Sequence, residues 1–209
     1  MIIFIKTRVL NFVKLHCVLT KLFVKEKWFF SASRCRYVTD DCFCSLVVSL
    51  VHSRLDYGNF VLVGLPAYLQ RRLQSVLNAA ARLVFRQSRY DHVSDALATL
   101  HWLRLPQRVD FKAAVMAFRV LHGLVPPYLN DLVRVADLPG RRPLHSSSSH
   151  QLLVPPFRLT TVDRRTFPVA ASLLCNSLPS DIQSAPSLPV FRQRLKTFLF
   201  RQSFPNIVL

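Results

Sequence analysis

Asp40 and Asp41 stand side by side, and adjacent carboxylates are the residue type that holds divalent cations for phosphoryl and nucleotidyl transfer. Such a site needs a third acid from a preceding strand, but Glu26 is the only acid before Asp40. The same pair follows Thr39 and precedes an apolar stripe from Phe43 to Leu55, which is how a helix begins. A helix start therefore accounts for the pair better than a metal site. His16, Cys17, Cys35, Cys42 and Cys44 invite a zinc reading. Cys42-x-Cys44 is too tight for the usual ligand loop and no second paired half follows, so buried thiols on an apolar helix are expected. Asp91, His92, His101 and His122 lie near one another in the chain, yet there is no Gly-x-Ser-x-Gly turn and no glycine-rich phosphate loop. We expect no catalytic residues, no metal ligands and no cofactor.

The elements that must position these residues read mainly as helices. Thr39 opens one that runs to about Leu55, with Phe43, Leu46, Val47, Leu50 and Val51 on one face. A second follows Pro66, with Leu69, Leu73, Val76, Leu77, Ala80, Leu83 and Val84 as its stripe. A short helix capped by Asp91 or Ser94 leads to Leu100, and Trp102 reads as a packed aromatic beside the next helix start. Pro106 starts that helix, which has apolar residues on two sides and ends at His122-Gly123. Beyond a Pro/Arg/Ser-rich loop the pattern shortens. Leu152 to Val154 and Phe157 to Val162 read as brief extended pieces, Thr166 to Leu174 as strand or helix, and Ser187 to Arg201 as the last helix, with Leu188, Phe191, Leu195, Phe198 and Leu199 inward.

The first 30 residues differ from the rest. Five of seven lysines lie by residue 27, whereas 20 of 21 arginines lie after it. This segment is basic and apolar, but charges interrupt every run well short of the roughly 20 apolar residues that span a bilayer. It has more Lys than Arg and little Ser, unlike a mitochondrial presequence. We expect an intracellular protein, nuclear or cytoplasmic, with four parts: a divergent segment at 1–36, a helical domain at 37–133, the loop at 134–150 and a small C-terminal subdomain at 151–209. Five cysteines at irregular spacing are not a secreted disulfide framework.

A formal charge of +17 and a pI near 10.7 favour polyanionic partners, RNA or DNA backbone among them. Arg71, Arg72, Arg82 and Arg86 are expected opposite the apolar stripe of the second helix, with Arg89 just beyond. On the last helix Arg192, Arg194 and Lys196 are left for solvent or phosphate. These eight residues are the candidate nucleic-acid contacts; the same faces also suit plain solvation.

A series of words runs in order along the chain: Ser53-Arg54-Leu55-Asp56-Tyr57-Gly58-Asn59, Gly64-Leu65-Pro66, Leu73 to Val84, Leu100-His101-Trp102-Leu103, Leu121 to Leu129, Asn176-Ser177-Leu178-Pro179 and Leu195 to Phe200. Over roughly residues 37 to 202 the chain resembles the C-terminal part of the reverse-transcriptase protein of LINE-type (non-LTR) retrotransposons, nearest the Jockey-like and chicken-repeat-like clades. The resemblance implies a helical, thumb-like domain from beyond the polymerase palm, a region that holds template and nascent duplex. It also implies a fragment without the catalytic carboxylates: Tyr37 stands three positions before Asp40, where the family's aromatic stands two before its Asp-Asp pair. Two departures stand out. Cys175 replaces the Trp that usually precedes Asn-Ser-Leu-Pro, which predicts a cavity, and Gly58 replaces a Cys. The expected function is thus a catalytically inactive fragment with non-specific RNA or DNA binding. The alternative is a helical protein-interaction module without a nucleic-acid role, its partner unknown.

Overall fold

A computed structural model describes residues 39–57, 62–88, 90–126, 129, 132–138, 150–159 and 163–206. The 1–36 segment, His16, Cys17, Cys35, Gly58, Arg89 and the centre of the 134–150 loop lie outside the described residues. Among the described residues the chain is mainly α: seven α-helices, two 3₁₀ turns and no strand. They fall into two compact units. One holds the described residues before 58 together with Leu65–Leu105; the other holds 59–64 and everything from Pro106 onward.

In the first unit, α1 (Asp40–Asp56) starts where Thr39 turns extended and its carbonyl accepts the Phe43 N–H at 2.9 Å. Asp40 and Asp41 occupy its first turn, where the helix dipole favours negative charge. Val47, Val51 and Leu55 are buried at a four-residue spacing, but Leu46 and Leu50 are 47% and 54% exposed. The expected five-residue face is therefore two strips, and packing covers only one. Its neighbour α2 (Ala67–Val84) buries Leu73, Val76, Leu77, Ala80 and Ala81 along the expected stripe. The short α3 (Ser94–Thr99) has no side-chain cap. Asp91 instead closes its own turn, its Oδ2 accepting the Ser88 N–H at 2.6 Å. Trp102 and Leu103 are buried, and the His52 ring lies against Trp102 with centroids 4.3 Å apart.

In the second unit, α4 (Leu105–Leu121, its first residue still in the other unit) is apolar on more than one side. Val109, Ala113, Val115, Ala117, Phe118 and Val120 are all buried, which makes it the central helix. Phe118 stacks on Phe191 of α7 (Leu188–Ser203) at 4.5 Å. Ala117 meets Ala171 and Cys175 of α5 (Phe167–Ser177) and Leu152 in one core. The stretch left open between strand and helix is α5, with Pro168 in its first turn, where the missing N–H costs nothing. The one-turn α6 (Ser180–Gln183) follows. On α7 the inward residues are Phe191, Leu195, Leu199 and Phe200, while Leu188 and Phe198 are half-buried.

Among the described residues of the expected extended pieces there is one antiparallel bridge, between Arg134 and Leu152, and 160–162 lie outside the described residues. Pro155 and Pro156 lack N–H donors and cannot carry a ladder further. Polar side chains hold this irregular backbone instead. Asp163 Oδ2 accepts the N–H groups of Arg158 and Leu159, and the Asn176 amide both accepts from Leu152 N–H at 2.8 Å and donates to Leu152 C=O at 2.9 Å.

Candidate nucleic-acid interface

Helix α2 places Arg71 and Arg82 on one row, since eleven residues are close to three turns. Arg72 lies about 100° round the helix from Arg71. Both Arg71 and Arg72 are exposed, and Arg71 Nε reaches back to the Ala67 carbonyl at 3.4 Å. Arg82 is half-buried, and its Nη2 donates to the Asp91 carbonyl at 3.2 Å. Arg86 is not on the helix at all: it lies past the end with φ of 53°, and its guanidinium pairs with Asp40 at 2.6 Å. Of the expected row of four, Arg71 and Arg72 are exposed, Arg82 ties down a turn and Arg86 bridges to α1. The pair to Asp40 is open to water on both sides, and such pairs contribute about 0–1 kcal/mol. A phosphate could displace that carboxylate at little cost.

On α7, Arg192, Arg194 and Lys196 are all exposed, as expected. Arg192 and Lys196 share one row at a four-residue spacing. Arg194 and Arg201 share another at seven, on a different side of the helix. Arg194 Nη1 donates to the Asp181 carbonyl at 2.6 Å, which fixes its guanidinium beside α6. Sequence reasoning missed this tether, because an acceptor thirteen residues away leaves no periodic signal.

Among the described residues no group of three or more His, Cys, Asp or Glu is placed to hold a metal ion. Cys42 is exposed rather than buried, since two residues along a helix turn it about 200° from Cys44. His92 and His101 are exposed in the first unit. His122, in the second, stacks on Phe118 at 3.9 Å and its Nδ1 lies 2.8 Å from that residue's carbonyl. Cys175 borders a cavity of about 40 Å³ with Leu121, Leu152 and Leu178. Burial pushes its thiol up to about 12, so it is not a nucleophile at neutral pH.

No family model, curated protein or solved structure matches the chain. No helix among the described residues is long and apolar enough to cross a membrane.

Proposed function

We propose that this chain is a catalytically inactive C-terminal fragment of a non-LTR retrotransposon reverse transcriptase that binds RNA or DNA backbone without sequence preference. The observation that carries the reading is the ordered series of words from Ser53 to Phe200, set on a chain of formal charge +17. The exposed Arg71 and Arg72 on α2, and Arg192 and Lys196 on α7, supply the phosphate contacts. Arg82 and Arg86 serve chiefly their own unit. The parent activity is RNA-directed DNA polymerisation; this fragment lacks the carboxylates for it. We expect the cell to hold it in the nucleus or cytoplasm with the nucleic acid it contacts.

The test is an anisotropy titration with single-stranded RNA and duplex DNA of unrelated sequences across a salt series. Affinity should be similar for all sequences and fall steeply with salt. Changing Arg192 and Lys196 to Gln keeps good helix formers and should lower the salt slope by about 0.7–0.9 for each phosphate no longer neutralised. Arg82→Gln should leave that slope unchanged. A salt-insensitive affinity, or template-dependent primer extension by the purified chain, would overturn the reading.

A further inference from the structure

Between α6 and α7 runs an open groove of about 760 Å³. One wall is a single face of α7: Val190, Gln193, Arg194, Thr197, Phe198 and Arg201, spaced i, i+3, i+4, i+7, i+8 and i+11. That face is about 16 Å long, or three helical turns. The facing wall is Pro179, Asp181, Ile182 and Ser184. Ile182 is buried, and Val190 and Phe198 are half-buried, so the floor is apolar. Cations stand on the rim. Arg201 is exposed, and Arg194 spends one N–H on the Asp181 carbonyl while keeping the rest of its five-donor fork.

We propose that this groove docks an acidic amphipathic helix of a partner protein. The apolar face of that helix lies on Ile182, Val190 and Phe198, and its carboxylates meet Arg194 and Arg201. A three-turn face at this spacing has the ridges that a second helix fills with its own i, i+3, i+4 and i+7 side chains. The tether to Asp181 holds Arg194 in place before binding, so less side-chain freedom is lost when a carboxylate arrives. Nucleic acid fits less well here. The one aromatic side chain lining the groove, Phe198, is half-buried rather than standing free as a stacking platform. The Arg192–Lys196 row assigned to phosphate lies on a different side of α7, so the two surfaces are separable.

The experiment uses the full chain and a fluorescein-labelled designed peptide with Leu at i, i+3, i+4 and i+7 and Glu on the flanking positions. Its control is an isomer of the same composition with the leucines scattered, which keeps the charge and removes the apolar face. We expect saturable binding of the first peptide and much weaker binding of the second. Arg201→Glu should weaken binding about tenfold and bind a Lys-for-Glu peptide better than the unaltered chain does. Thr197→Glu, also at an exposed position, should weaken binding in the same direction, and circular dichroism of both variants should be unchanged. Equal affinity for the two isomers, or an Arg201→Glu chain that binds as before, overturns the proposal. So does one-for-one displacement of the peptide by oligouridine at about physiological ionic strength, which makes the groove a nucleic-acid site.

Discussion

Asp40 and Asp110 are both carboxylates on long helices, one in each unit, and they are treated in opposite ways. Asp40 sits in the open at the head of α1 and pairs with Arg86. Asp110 lies in the first half of α4, where burial raises its carboxyl from 3.8 to about 6. The side-chain hydrogen bonds also range from exposed to half-buried. In the first unit Arg82 and Arg86 reach over the surface to a carbonyl and a carboxylate, while Gln74 Oε1 accepts the Leu105 N–H at 2.7 Å in a half-buried setting. In the second, much of the chain is irregular, and short polar side chains at its interior replace the missing ladder: Asn176 on Leu152, and Gln183 Nε2 on the carbonyls of Cys175 and Leu178. Exposed polar contacts trade one set of water hydrogen bonds for another and stabilise little. Interior ones leave an unsatisfied backbone group when removed, and that is costly.

The largest test of this contrast is Asn176→Ala. It removes both hydrogen bonds to Leu152 and strands a donor and an acceptor next to the core of Ala117, Ala171 and Cys175. We expect a loss of about 3 kcal/mol, read as a lower urea midpoint at unchanged slope. Asn176→Asp should be nearly as harmful, because the carboxylate faces the Leu152 carbonyl with no proton to give. Asp40→Asn, the matching change in the first unit, should cost under about 1 kcal/mol. Similar losses at the two sites would erase the distinction between the exposed pair and the half-buried clamp.

Asp110 gives the next effect, and its sign follows from its raised value. The folded chain holds this proton more tightly than the unfolded chain, so Asp110 lowers stability progressively as pH rises from about 4 to 6 and fully above that window. A shift of this size corresponds to about 3 kcal/mol, and partial contact with solvent reduces it to about 2. Asp110→Asn should therefore stabilise the chain by about 2 kcal/mol at pH 7 and by little at pH 4. Urea midpoints of the two proteins at both pH values decide it; a gap that does not widen with pH would contradict the assignment.

Much of this architecture was legible in the sequence, and what was not has a common cause. Thr39, Pro66, His122-Gly123 and Ser187 each mark a helix boundary within a residue or two of where it falls, because caps and breakers act through neighbouring backbone. Leu46 and Leu50 were misplaced because α1 carries two apolar strips, and periodicity does not say which one a partner covers. The Asn176–Leu152 clamp spans twenty-four residues and has no local signature. On the candidate interface, Arg71 and Arg82 look alike in sequence, yet Arg71 is exposed and bonds back to the Ala67 carbonyl, whereas Arg82 is half-buried and donates to the carbonyl of Asp91.

The smallest effect sits at the helix ends, where three terminations share one geometry. After α2, α3 and α4 the residues Arg86, His101 and Gly123 adopt φ values of 53°, 53° and 66°. In each case the following N–H bonds back to the carbonyl five residues earlier: Gln87 to Arg82, Trp102 to Leu97 and Leu124 to Arg119, each at 2.9 Å. Only α4 has glycine there. A side chain in this left-handed conformation costs about 1–2 kcal/mol, partly offset because glycine loses more freedom on folding. Arg86→Gly relieves the same strain but gives up the pair with Asp40, so its net effect should be close to zero. Gly123→Ala reverses the sign. A Cβ there meets nothing within 4 Å, so the loss of about 1 kcal/mol is conformational alone. Thermal melts of the two variants should rank Arg86→Gly above Gly123→Ala. If Arg86→Gly instead stabilises by about the 1 kcal/mol of strain it relieves, the exposed pair contributes nothing, and this surface contact is weaker still than the contrast with Asn176 requires.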